Sequence, residues 1–417
     1  MVPLSAARLR LTLLLLAAVQ FTHVMDFMIM MPLGPQLMDA LGLGPERFSR
    51  LVAAYGFSAG VCGLLASFVL DRFDRKKALL FLFTGFAGAT AACGLATDYA
   101  WLLAARVLAG AFGGVAGSVV TAMVGDVVPP ERRGAGMAFV MSGFSLAQIF
   151  GVPAGLWLAA HADWHLPFLV LAGIAACVNL VAWRVLPRAD AHVAQRGTQS
   201  DWRRVLEIAR NPNHQRAFAV VMLLTMSGMI LVPFLATMVV RNGGGSERAL
   251  VLVYMLGGFA TLVCNNVLGR LGDRFGHVRV FDAVAVYAIA PVLLVSHMGA
   301  WPLPILLAVT TAFIISLGGR WTPAMTLVTM SVEGRFRGGF MSLSSASQAA
   351  FGAVASMLAG WIVREGEGGR LEHYSWVGFA SLVFLGLAAV VIRRIRIVEP
   401  AGPASIRPPE PESGALD

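Results

Sequence analysis

Apolar residues along this chain come in runs of about twenty or more, each closed by a cluster of polar or turn-forming residues. A helix of that length matches the hydrocarbon thickness of a bilayer. Twelve such runs are read, near 11–38, 51–70, 78–97, 101–126, 135–160, 166–186, 217–240, 249–271, 279–298, 302–331, 339–363 and 376–392. The longest polar interruption, "PRADAHVAQRGTQSDWRRVLEIARNPNHQR" (Pro187 to Arg216), divides them six and six. The pattern predicts an all-α membrane protein of two six-helix bundles, 1–186 and 217–395, with a linker over 187–216 and a disordered tail over 396–417. Within the linker, "DWRRVLEIARN" puts Trp202, Val205 and Leu206 on one helical face, which predicts a short helix lying on the membrane surface.

Composition agrees with a polytopic chain. Of 417 residues 57% are hydrophobic and only 13% charged, with a mean hydropathy of +0.73, whereas a soluble domain carries about 25% charge. The start, "MVPLSAARLRLTLLLLAAV", imitates a signal peptide, but no small-residue cleavage pattern follows and the apolar run continues, so it is read as the first span, retained. Cys62, Cys93, Cys177 and Cys264 stand singly in apolar runs, a spacing that fits free thiols rather than a zinc site or disulfide framework.

The net charge of +9 changes meaning once it is placed. With the N-terminus inside, inner segments hold Arg8 and Arg10, the cluster Arg72, Arg75, Lys76 and Lys77, then Arg132 and Arg133, and seven arginines between Arg184 and Arg216. The same alternation continues through the second half, and only six basic residues fall in outer loops. That asymmetry puts both termini in the cytoplasm, with the bacterial inner membrane as the expected location. It also removes the reason to invoke a nucleic acid.

The halves resemble each other. "LDRFDRKKALLF" after the second run answers "GDRFGHVRVFDA" after the eighth, with Asp71 and Asp273 in register. "ERRGAGM" after the fourth answers "RFRGGFM" after the tenth, with Arg133 and Arg337 in register at nearly the same offset. A repeat of six spans is the architecture of many transporters, with a binding site between the repeats near the midplane.

Four local patterns make the resemblance specific. "SFVLDRFDRKK" (Ser67 to Lys77) resembles the loop 2–3 motif of the major facilitator superfamily, "RVLAGAFGG" (Arg106 to Gly114) its span-four arginine motif, and "GVPAG" (Gly151 to Gly155) the span-five signature associated with antiporters. "MDFMIMMPLGP" resembles the span-one motif of the drug-exporting branch. The chain is thus similar, over about 10–395, to the twelve-span drug:proton antiporters of the arabinose-efflux-permease-like group. There are departures. Ser67 and Asp74 replace two glycines of the loop motif, the second copy has His277 and Val278 in place of its cations, and the span-five spacing is shortened at Pro153. The resemblance implies the major facilitator fold, with spans one, four, seven and ten around a central cavity.

The candidate chemistry lies in the charges inside the spans. A charge at the bilayer centre costs about 2.5–3.5 kcal/mol on insertion scales, so Asp26, Arg106 and Arg320 need a reason. Asp26 lies about 15 residues into an outward-running helix, about 22 Å at 1.5 Å per residue, and Arg106 about five residues from the outer end of an inward-running one. They share a depth, and the resemblance allows them to face each other in the cavity. Two readings stand: a structural ion pair, or a proton-coupling carboxylate tuned by the arginine, with His23 one turn away to share the proton. A dry site favours a neutral carboxyl and a guanidinium favours a charged one, so a pair that separates during a conformational change would bind and release a proton.

Arg320, in "SLGGRWTPAM", has no carboxylate at its depth in the second half and awaits either a cross-cavity partner or an anionic ligand; Pro323 beside it is expected to kink or break the helix. Gln20, Met30, Gln148, Asn265 and Gln348 complete the expected substrate cavity, where methionine offers an adaptable apolar wall. Asp71, Arg72, Arg75, Lys76 and Asp126, with Asp273 and Arg274 in the second copy, are read either as solvated loop charges or as a breakable latch at the inner face. Gly110, Gly113, Gly114 and Gly117, spaced by three and four, read as close helix packing.

No nucleophile–base pair, metal-spacing cluster or phosphate loop is found, so no catalytic residue, metal or cofactor is expected beyond a proton as coupling ion. The expected protein is a monomeric secondary transporter in contact with lipid and a small-molecule substrate, exporting that substrate against proton entry. The alternative is proton-coupled uptake of a small anionic metabolite.

Overall fold

The computed structural model describes residues 5–69, 73–129, 132–187, 201–334 and 336–398. Six helical rods precede the linker: span one, Ala6–Ile29 continued by Gly34–Ala40; span two, Pro45–Val69; span three, Arg75–Gly94; span four, Tyr99–Val127; span five, Arg133–His161; and span six, His165–Val185. Six follow it: span seven, Pro212–Met229 continued over Val232–Thr237 to Asn242; span eight, Glu247–Phe275; span nine, His277–Ser296; span ten, Leu303–Met330; span eleven, Arg337–Ile362; and span twelve, Tyr374–Ile392. Among the described residues, eleven helices are long and apolar enough to cross a membrane by length and composition. Span eleven matches them in length, but Ser342, Ser344, Ser345, Ser347 and Gln348 lower its hydropathy.

Proline sets the irregularities. The run read as one span over 11–38 is two helices, because Pro32 and Pro35 cannot donate to the preceding turn and disfavour helix before them. Span seven breaks in the same place in its half, before Pro233, and Tyr374 Oη donates to the Leu231 carbonyl at 2.7 Å in the gap. Span five carries a π turn over Ala147–Gly151, just ahead of Pro153. Pro323 does not break its helix: span ten runs through it from Leu303 to Met330.

The two halves meet along spans two and eleven. A Cβ on Gly56 or Gly60 would stand 2.8 and 2.9 Å from the Ala349 and Ala346 carbonyls, so only glycine permits that approach. Span eight packs against Ala147–Gly151 and Val152–His161 of span five, the part remote from the linker. The face carrying the linker and most of the arginines is called the basic face below, the opposite one the distal face. At the distal end a continuous apolar cluster closes the halves together, with Ile29, Met30, Leu33 and Phe48 on one side and Phe234, Leu235 and Val239 on the other. The Phe48 and Phe234 rings meet edge to face at 5.8 Å.

The linker helix, Asp201–Arg210, packs on the second half, with Ile208 buried beside Phe336 and Phe340; the side chains of Trp202 and Val205 lie outside the described residues. The expected tail begins in order rather than disorder: Arg396 N donates to Asn213 Oδ1 at 2.9 Å and Val398 N to the Met330 carbonyl at 3.0 Å. The rest of it, 399–417, lies outside the described residues.

Candidate functional site: a buried ion pair beside a central cavity

Asp26 stands three residues before the end of the first helix of span one, fully buried. Arg106, eight residues into span four and equally buried, gives one N–H to its carboxylate at 2.9 Å and approaches its backbone carbonyl at 3.2 Å. Thr90 of span three donates to the other carboxylate oxygen at 3.1 Å. The guanidinium lies over the Tyr55 ring of span two, 4.6 Å from its centre, and the Tyr55 hydroxyl reaches the His23 carbonyl at 3.5 Å. Four spans of the first half therefore converge on one carboxylate.

The pair does not sit in the cavity as the resemblance allowed. The central cavity, about 530 Å³, is lined on this side by His23, Tyr55 and Phe27, and neither Asp26 nor Arg106 reaches its surface. Span one presents Gln20 and His23 to the cavity, and Asp26 one turn on faces into the bundle. His23 Nε2 meets Gln20 Oε1 at 3.3 Å, while its Nδ1 is buried without a hydrogen-bond partner.

Across the cavity, Arg320 is 1% exposed and gives one N–H to Ser227 Oγ at 3.0 Å. Ser227 passes its own proton to the Ser381 carbonyl at 2.8 Å, and Ser381 donates to the Ser227 carbonyl at 2.6 Å. Arg320 does not reach Asp26, and among the described residues it has no carboxylate within 4.0 Å. Gln348 joins Arg320 and Gln20 in the cavity wall.

Three expected cavity residues are elsewhere. Met30 lies past the helix break, in the distal apolar plug. Gln148 belongs to the π turn of span five, whose backbone abuts Gly258 of span eight. Asn265 sits further toward the basic face on span eight, away from the lining. A second void of about 230 Å³ shares Ala59, Gly114, Ser345 and Ala349 with the cavity and extends it to Arg75 and Ser342 at the basic face. The cavity therefore leads toward the basic face and is sealed at the distal one.

Of the expected latch, Asp71 and Arg72 lie outside the described residues. Arg75 Nε meets Asp126 at 3.0 Å, joining span three to the end of span four. Lys76 donates to the Leu186 carbonyl at 2.7 Å, closing the end of span six. Among the described residues the second copy forms no such link: Asp273, 79% exposed, pairs with His277 at 3.6 Å, and Arg274 lies over Phe275. With His277 and Val278 in place of the cations, no guanidinium among the described residues pairs with Asp273.

Two groups escaped the sequence reading. Thr90 and Tyr55 carry no charge and break no pattern, so nothing marked them. At the distal face Arg241 binds Asp39 at 2.6 Å and Glu365 at 2.9 Å, and Gln36 donates to Glu247 at 2.6 Å. Both sets tie the first half to the second where the cavity is closed; the outer-loop arginine had been counted only as topology.

The sequence pattern of the Major Facilitator Superfamily matches residues 16–317. An uncharacterized MFS-type transporter of Bacillus subtilis, YceJ, is 24% identical over 375 residues, covering 88% of this chain and 92% of its own. A probable sugar efflux transporter of Helicobacter pylori is 25% identical over 245 residues, 58% of this chain and 61% of that one. Among solved structures, a bacterial homologue of the human lysosomal transporter Spinster, inward-facing and unoccupied, superposes with a TM-score of 0.74 at 17% identity, covering 94% of this chain and 97% of that one. The xylose transporter XylE of Escherichia coli superposes at 0.71 and 14%, over 93% and 98%. The chain belongs to the Major Facilitator Superfamily.

Proposed function

We propose that this chain is a proton-coupled exporter of small organic molecules, working by alternating access with its basic face in the cytoplasm of a bacterial inner membrane. The observation that carries the reading is the Asp26–Arg106 pair, buried in one half behind the cavity wall that His23, Phe27 and Tyr55 help to form. In the conformation described, the distal face is closed and Arg106 is the carboxylate's counter-charge. Opening the distal face is coupled to a shift of span one against span four within the first half, and parting the pair leaves the carboxylate needing another positive charge. A proton from the outer side supplies it. Return to the present conformation restores Arg106 as partner and discharges the proton to the cytoplasm, while substrate enters the cavity from the basic face.

Proton release and substrate loading then belong to the same conformation, which is the arrangement that export against proton entry requires. The relative named for sugar efflux supports this direction. The test is flux in proteoliposomes under an imposed pH gradient. Substrate should leave the compartment on the basic-face side when the opposite side is acidified, and Asp26→Asn should abolish the response. Accumulation in the direction of proton flow would replace export by uptake.

A further inference from the structure

We infer that the cavity's ligand is a monoanionic amphiphile, whose carboxylate or similar oxyanion seats on Arg320. The inference rests on the cavity being the substrate site, and not on the coupling ion. Among the described residues, Arg320 is the permanently charged residue in its lining, and no aspartate or glutamate lines it. A cationic ligand would meet like charge in a low-dielectric space with no carboxylate to receive it.

The partners of Arg320 hold it without neutralising it. Of its five N–H donors one goes to Ser227, whose hydroxyl is itself committed to the Ser381 carbonyl. The knot consists of neutral dipoles that fix the fork's direction and leave its charge uncompensated. On the other flank stands Gly228, also in the wall; a Cβ there would be in van der Waals contact with the fork at 3.6 Å, a contact that glycine leaves unmade. Arg106 shows the contrast: at similar burial it has a carboxylate at 2.9 Å. A bound oxyanion would do for Arg320 what Asp26 does for Arg106, with the two-point geometry a guanidinium favours.

The rest of the wall defines the rest of the ligand. Phe27, Leu224, Met229, Leu317 and Trp321 face the cavity and suit an apolar or aromatic body, with Gln20 and Gln348 available to orient a neutral polar group. The volume, about 530 Å³, lies within the usual span of small-molecule sites. One permanent cation calls for one negative charge.

The experiment is calorimetric binding to the purified full-length protein in detergent at pH 7.5, with no gradient. The probes are 1-naphthaleneacetate, its primary amide and 2-(1-naphthyl)ethylamine. The acid should bind about tenfold or more tightly than the amide, as a charged hydrogen bond implies, and the amine most weakly. In Arg320→Gln the preference for the acid should vanish while amide affinity stays within about twofold, the latter also showing that the cavity is intact. Arg320→Lys should keep part of the preference, because a point charge cannot form the fork; it carries the test if the glutamine variant does not fold, and there an undiminished preference overturns the inference. Acid and amide binding alike in the natural protein, or a glutamine variant that still prefers the acid, also overturns it. Absence of proton coupling in liposomes would leave these results untouched.

Discussion

Each half of the molecule buries one arginine in its fourth rod, yet the two are handled in opposite ways. Arg106 is met by a carboxylate, itself held by a threonine, and by an aromatic face, all supplied by the first half itself. Arg320, in the cavity wall, is met by a serine and, among the described residues, by no carboxylate. The repeat explains the shared scaffold, including the break in each first rod before a proline-led helix. It does not explain the arginines: Arg106 lies eight residues into span four and Arg320 eighteen into span ten, so neither copies the other. One scaffold has thus acquired a self-contained charge pair in one half and an unmatched charge in the other. A self-contained pair can exchange a partner without ligand, which suits an ion; an unmatched charge is completed only from the cavity, which suits a substrate.

The largest expected effect comes from removing the compensation in the first half. Asp26→Asn should reduce proton-driven flux to the level of empty liposomes. It should also lower thermal stability, since a buried pair deprived of one partner costs about 3–5 kcal/mol. The double variant Asp26→Asn with Arg106→Gln should recover most of that stability and none of the coupling. If the double variant still concentrates substrate in step with the pH gradient, the pair is structural and the contrast between the halves concerns stability alone.

A second expectation concerns the distal ties. Arg241→Gln removes the links to Asp39 and Glu365, exposed pairs each contributing about 0–1 kcal/mol. A cysteine introduced at Thr225, in the cavity wall, should then react up to about fivefold faster with an impermeant reagent from the distal side. Asp126→Asn, which breaks a link from Arg75 that lies within the first half and is intact in this conformation, should leave the same labelling and the substrate affinity little changed. Equal labelling in both variants would mean that the apolar plug around Phe48 and Phe234, rather than these charges, sets the resting conformation.

Much of this is legible in the sequence. Span count follows from apolar run length, because lipid leaves the backbone no other partner than its own helix. The shared depth of Asp26 and Arg106 follows from counting rises along opposed helices. Legibility failed where a residue's role depends on what faces it. Pro32 and Pro35 were visible, but an apolar run hides a helix break, and Met30 was therefore assigned to the cavity when it lies in the plug beyond the break. Asp26 was placed at the right depth on the wrong side of the helix wall, since spacing alone does not say which face of span one meets span four. Ser227 and Ser381 are ordinary residues in apolar spans; only the bond from Arg320 to Ser227, 93 residues away along the chain, and from Ser227 to Ser381, 154 residues away, gives them meaning.

The smallest expected effect is the most discriminating within the first half. Thr90 donates one neutral hydroxyl to Asp26 at 3.1 Å, on the oxygen that Arg106 leaves free. Thr90→Val keeps the shape and removes the donor, a loss of about 1–3 kcal/mol when a buried acceptor is left short. The carboxylate retains its guanidinium, so proton-driven transport should persist, with its pH–rate midpoint displaced and its proton-to-substrate ratio unchanged. Thr90→Ser, which restores a hydroxyl, should return the midpoint toward that of the natural protein. Should Thr90→Val instead abolish coupling as fully as Asp26→Asn, the hydroxyl would be part of the route by which the proton reaches Asp26, and the first half's device would be a three-residue relay rather than a pair.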